Sequence, residues 1–71
     1  MELLQLRYFL VAAQYQHMTK AAEQLQIAQP ALSQAIHRLE IELGVSLFDR
    51  KNRSIELNES GKLLQKRLIP I

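Results

Sequence analysis

Apolar residues fall on helical stripes along most of the chain. Leu3, Leu6, Leu10 and Ala13 recur at the 3.6-residue period of an amphipathic helix, with Phe9 beside them, predicting a helix over 3–14. The polar stretch 14–18 ends it. Thr19 then stands where an N-cap belongs, directly before Lys20-Ala21-Ala22-Glu23-Gln24-Leu25, which predicts a short second helix over 20–25. Residues 26–28 read as a tight connection. Pro30 suits the first turn of a third helix, where a missing N–H costs nothing. That helix is expected from about Gln29 to Leu43, stopping at Gly44. Leu32, Ile36, Leu39 and Leu43 point within about 40° of one direction on it and form its core stripe. Pro30, Ser33, Gln34 and His37 fall opposite, with Arg38 at the edge. This outer face is polar but hardly charged, the pattern of a surface that reads base edges rather than one that is merely solvated.

The pattern changes after Gly44. Ser46-Leu47-Phe48 and Ser54-Ile55-Glu56-Leu57 are short β-compatible runs around the polar, basic segment 49–53, predicting strand, charged tip, strand. Asn58 is placed to cap a fourth helix from Glu59 to about Leu68, with Leu63, Leu64 and Leu68 as its apolar positions. Pro70 is a poor continuation. The fold class predicted is mainly α with a small β-hairpin.

Composition narrows the class. With 71 residues the chain forms one domain and buries only about 60% of its unfolded surface, so its stability is modest or supplemented by a partner. A hydrophobic content of 48% argues against disorder, and the absence of cysteine excludes disulfides and thiolate metal sites. The longest apolar run, Tyr8 to Ala13, is far short of the ~20 residues that span a bilayer. The start Met-Glu-Leu-Leu lacks the basic region of a secretory signal, so a cytoplasmic, nucleoid-associated location is expected.

Charge is unevenly shared. Residues 1–48 hold three basic groups against four acidic ones, a net of −1, while residues 49–71 hold six against three, a net of +3. Such asymmetry suggests that one end faces a polyanion, although a solvated basic surface would look the same. Ser33 and His37 stand one helical turn apart, as a nucleophile and base would, but no third residue orients the imidazole and no oxyanion donor is evident. His17 and His37 are not spaced as metal ligands. An enzyme, a metal and a cofactor are therefore not expected.

The order helix, helix, turn, helix, basic hairpin, helix is that of a winged helix-turn-helix. Ala22 stands where the motif needs a small side chain, Ile27 plugs its turn, and Leu32 anchors its second helix; Gln26 occupies a turn position often held by Gly. The runs 19–25, 29–33 and 39–50 (Thr19-Lys20-Ala21-Ala22-Glu23-Gln24-Leu25, Gln29-Pro30-Ala31-Leu32-Ser33, and Leu39-Glu40 through Phe48-Asp49-Arg50) resemble the N-terminal domain of LysR-type transcriptional regulators. The likeness extends from Leu3 to about Leu68. It implies a DNA-binding domain over 1–58 and, over 59–71, the start of a linker helix through which two copies dimerise. It also implies an effector-binding domain, with a small-molecule inducer, that these residues do not contain. The chain is thus expected to be a truncated regulator, natural or excised. Ala28 departs from the Ser common in the family, which removes a hydroxyl cap, and Pro70 interrupts the expected linker helix.

Within that resemblance the candidate DNA-binding residues are Thr19, Lys20, Gln29, Pro30, Ser33, Gln34, His37, Arg38, Arg50, Lys51 and Arg53. Gln29 matches the hydrogen-bonding edge of adenine, and Pro30 offers an apolar surface to a thymine methyl. Ser33, Gln34 and His37 reach a base or backbone oxygen. Arg38 suits a phosphate. Thr19 and Lys20 suit the backbone at a helix start. Arg50, Lys51 and Arg53 suit phosphates or a narrow minor groove, with Arg50 alternatively bracing the hairpin from within. The partner expected is partly palindromic double-stranded DNA. Two other roles fit parts of the pattern: a winged helix for protein association, and a competitor for sites or dimer partners that regulates nothing itself.

Overall fold

The computed structural model describes residues 2–51 and 54–68. The expected Arg53 contact and the interruption at Pro70 lie outside the described residues. The elements are α1 (Leu3–Tyr15), α2 (Met18–Leu25), α3 (Gln29–Leu43), β1 (Phe48–Lys51), β2 (Ser54–Leu57) and α4 (Glu59–Leu68). The architecture is the expected one, mainly helical with one two-stranded antiparallel hairpin.

The start of α1 is held by its own side chains, with the Glu2 N–H donating to Gln5 Oε1 at 3.4 Å. Its buried line is Gln5, Phe9, Ala12 and Ala13 rather than the line through Leu3. Leu3 is 84% exposed, and Leu6 and Leu10 only flank the core. The buried face is rotated toward Phe9, which is fully buried at its centre. Its ring meets that of Phe48 at a centroid distance of 5.6 Å, which ties α1 to the hairpin.

Helix α2 starts two residues earlier than the sequence pattern suggests. Its N-cap is His17, whose Nδ1 accepts the Lys20 N–H at 3.2 Å; Thr19 is an exposed residue of the first turn. The ring nitrogen supplies the acceptor that a hydroxyl usually provides, and the shift lets Met18 join Ala21 and Ala22 in the core. Ala22 is buried, which permits α3 to approach. Gln26 closes the helix in the left-handed region at φ 59, its N–H reaching the Ala22 and Glu23 carbonyls. This is the turn position at which Gly is common.

Helix α3 has the expected bounds. Leu32, Ile36 and Leu39 are buried against α1 and α2, and Leu43 is half-buried at the end. Ala28 provides no side-chain cap, and the chain leaves the helix at Gly44, φ 74. The hairpin begins at Phe48 instead of Ser46, and the basic segment through Lys51 belongs to the first strand. Residues 46–47 are withdrawn from the ladder because Glu40, seven residues earlier, accepts the Leu47 N–H at 2.7 Å. The register pairs Phe48 with Leu57 and Arg50 with Ile55. Ile55 is buried, and its N–H donates to the Gln16 carbonyl at 3.2 Å, fastening β2 to the link between α1 and α2. Asn58 caps α4 as expected, its Oδ1 accepting the Gly61 N–H at 2.8 Å.

Candidate nucleic-acid interface

Leu32, Ile36 and Leu39 turn one side of α3 into the core, which leaves the opposite side of the helix outward. Pro30, Gln34, His37 and Arg38 are exposed there, while Gln29 and Ser33 are half-buried. Ser33, Gln34, His37 and Arg38 line one shallow depression. From Gln29 to Arg38 the helix rises roughly 14 Å, and an α-helix about 10–12 Å across fits a major groove about 12 Å wide. The face can therefore present its amides, hydroxyl and imidazole to several successive base pairs at once.

A second depression adjoins the first. It lies between the start of α1 and α3, lined by Leu4, Gln5, Tyr8, Ala31, Gln34 and Arg38 among others. Gln34 and Arg38 line both. Helix periodicity does not reveal Leu4 and Tyr8 of α1 as neighbours of the outer face, because it says which residues share a face but not which other helix borders it.

Thr19 and Lys20 are exposed on the first turn of α2. Their placement is fixed by the His17 cap, which aims the backbone at that helix start. Arg50 is exposed on β1, opposite Ile55 of β2. Lys51 ends β1; its side chain, like the whole of Arg53, is outside the described residues. The expected residues that are described thus sit on three elements: the reading face on α3, a polar helix start on α2, and the strand β1.

Among the described residues no group of three His, Cys, Asp or Glu side chains could hold a metal ion, and no helix is long and apolar enough to cross a membrane.

Comparison with known proteins places this geometry. The family model for the bacterial regulatory helix-turn-helix protein of the lysR family matches residues 3–62. An uncharacterized HTH-type transcriptional regulator of Bacillus subtilis (strain 168), YybE, is 56% identical over 68 residues, covering 96% of this chain. This chain spans only 23% of the length of YybE. The DNA-binding domain of CbnR, solved in complex with DNA, superposes with a TM-score of 0.91 at 37% identity, over 94% of this chain and 77% of that one. The corresponding domain of BenM, solved with catB site 1 DNA, gives 0.89 at 43% identity, over 94% of this chain and 74% of that one. With its elements, its buried anchors and the family match all in agreement, the chain belongs to the LysR family of bacterial regulatory helix-turn-helix proteins.

Proposed function

We infer that this chain binds double-stranded DNA sequence-specifically and serves transcription regulation, with α3 in the major groove. The observation that carries the reading is the division of α3 into a buried apolar side and a polar side uncharged over its first two turns, on a fold superposable on domains solved with DNA. The family is regulatory, and the chain acts by binding, not by catalysis.

Gln29, Pro30, Ser33, Gln34 and His37 select sequence. Gln29 pairs with adenine through two hydrogen bonds, and Pro30 packs on a thymine methyl. Arg38, Thr19 and Lys20 hold the phosphates and fix the register. Arg50, Lys51 and Arg53 extend the positive surface to the flanking backbone or minor groove. Residues 1–58 form the DNA-binding unit, and residues 59–71 begin the helix through which two copies pair. A dimer places its two α3 helices about 34 Å apart, one helical turn, and so favours a partly palindromic operator. Exposed Leu63 and Val45, at 54% and 44%, support pairing on that side. In the whole regulator a small-molecule inducer would act through a separate effector domain.

If each subunit neutralises roughly four to six phosphates, log K falls against log salt with a slope of about −4 to −5 per subunit. Anisotropy titrations on specific and random duplexes at two salt concentrations test the assignment. Gln29→Ala should weaken specific binding more than random binding, and Arg53→Ala should weaken both alike. Equal losses for Gln29→Ala would remove its base-reading role.

A further inference from the structure

The end of α3 and the start of α4 are joined through residues 46–47. Glu40, on the last turns of α3, accepts the Leu47 N–H at 2.7 Å and the Ser46 hydroxyl at 3.3 Å through Oε2. That hydroxyl also lies 3.1 Å from the Phe48 carbonyl, a second acceptor. Asn58 approaches the same two residues from the other side. Its Nδ2 donates to the Ser46 carbonyl at 2.7 Å and its backbone N–H to the Leu47 carbonyl at 3.1 Å, while its Oδ1 holds the Gly61 N–H. Gly61 is buried, and a Cβ there would collide with the Leu47 carbonyl oxygen, so α4 rests directly on this strand of backbone.

These bonds differ in kind from the packing elsewhere. Hydrogen bonds weaken steeply when bent, whereas apolar burial is non-directional and tolerates sliding. A joint made from them fixes an angle. Just outside it lies an apolar groove lined by Leu43, Val45, Leu47, Leu63 and Leu64, on the side assigned above to the second copy. If the recognition helices are one DNA turn apart, each stands about 17 Å from the two-fold axis. At that distance a 10° pivot between α3 and α4 moves a recognition helix by roughly 3 Å, close to the rise of one base pair.

We propose that Glu40, Ser46 and Asn58 form a clasp that sets the angle between the recognition helix and the pairing helix, and thereby the half-site separation the dimer accepts. This rests on the reading of α4 as the dimer element. The three are positioning residues: they act on DNA selection through the placement of α3 and carry no base contact themselves.

Asn58→Asp keeps an acceptor for the Gly61 N–H and has no side-chain donor, and Asn58→Ser keeps that acceptor in a hydroxyl too short to span to the Ser46 carbonyl as well, so both cut the clasp and spare the helix cap. The 71-residue chain is titrated by anisotropy against duplexes carrying two half-sites whose separation is stepped by single base pairs, and against a single half-site. The wild type should show one best separation. Both variants should bind the single half-site with unchanged base preference, while their preference for the best separation over its neighbours falls by about threefold or more. Folded variants with an undiminished preference would overturn the clasp while leaving the dimer intact. Loss of fold in both variants by circular dichroism would also overturn it, since the bonds would then serve folding. A wild type without a best separation would instead overturn the dimer reading, and the clasp with it.

Discussion

Residues before Phe48 and residues after it hold together in different ways. In the first part Phe9, Leu32, Ile36 and Leu39 interlock among α1, α2 and α3, and the small residues Ala12, Ala21 and Ala22 let the helices close on one another. In the second part only Ile55 and Gly61 are buried among the described residues. The hairpin and α4 border that core through Phe48, Ile55, Leu57, Leu64 and Leu68, and are held to it as well by hydrogen bonds that the Gln16, Ser46 and Leu47 carbonyls accept from Ile55 and Asn58. Formal charge divides at the same place, −1 in residues 1–48 and +3 in residues 49–71. The contrast teaches that the two demands of DNA recognition are met separately. Reading a sequence needs side chains held to a fraction of an ångström, which a sealed core provides. Attraction to phosphate needs charge, which tolerates a looser base.

Damage to the core should be the most costly way to break this division. Leu39 is fully buried, so Leu39→Ala should lower stability by about 2–5 kcal/mol, a large share of what so small a domain possesses. Urea denaturation checks it. A loss below about 1 kcal/mol would mean that the three-helix core is not the organising unit.

A cut on the opposite face of the same helix should leave stability alone. Gln34 is exposed, so Gln34→Ala should not move the denaturation midpoint, yet it should reduce discrimination against the wrong base by about 1–3 kcal/mol at one position. Competition titrations with point-substituted operators measure this directly. An equal loss at every position would assign Gln34 to the backbone.

On the basic side, Arg50→Ala should weaken binding about uniformly across sequences and reduce the magnitude of the salt slope by about 1. An unchanged slope would make Arg50 a solubilising charge. Smallest of all, Gln26→Gly should stabilise the domain by about 0.5–1 kcal/mol, because Gln26 holds a left-handed backbone at φ 59 that glycine adopts freely. Thermal melting checks this, and no gain or a loss would mean that the Gln side chain contributes more than its backbone costs.

Much of this was legible in the residues themselves. The third helix was readable at both ends, because a 3.6-residue apolar stripe, Pro30 and Gly44 all agree. The errors came from partners that are distant in sequence or unusual in type. Thr19 fits the preference for hydroxyl caps, but the acceptor is an imidazole nitrogen two residues earlier. Ser46-Leu47 has strand-like character and predicts an earlier start for β1, while the Leu47 N–H is taken by Glu40. Leu3 fits the apolar period but lies beyond the edge of the core that Phe9 centres. The polar face of α3 could be read as a face; that α1 borders it through Leu4 and Tyr8 depends on helix packing, which local periodicity does not encode.

Sequence selection is assigned above to the outer face of α3. Selection from a pool of random duplexes tests it most directly, with the wild type and Gln29→Ala carried in parallel. The wild type should enrich a partly palindromic pair of half-sites about one helical turn apart, and Gln29→Ala should lose its preference at one base pair in each half. Enrichment of no common sequence by the wild type, or of the same sequence by both proteins, would contradict it.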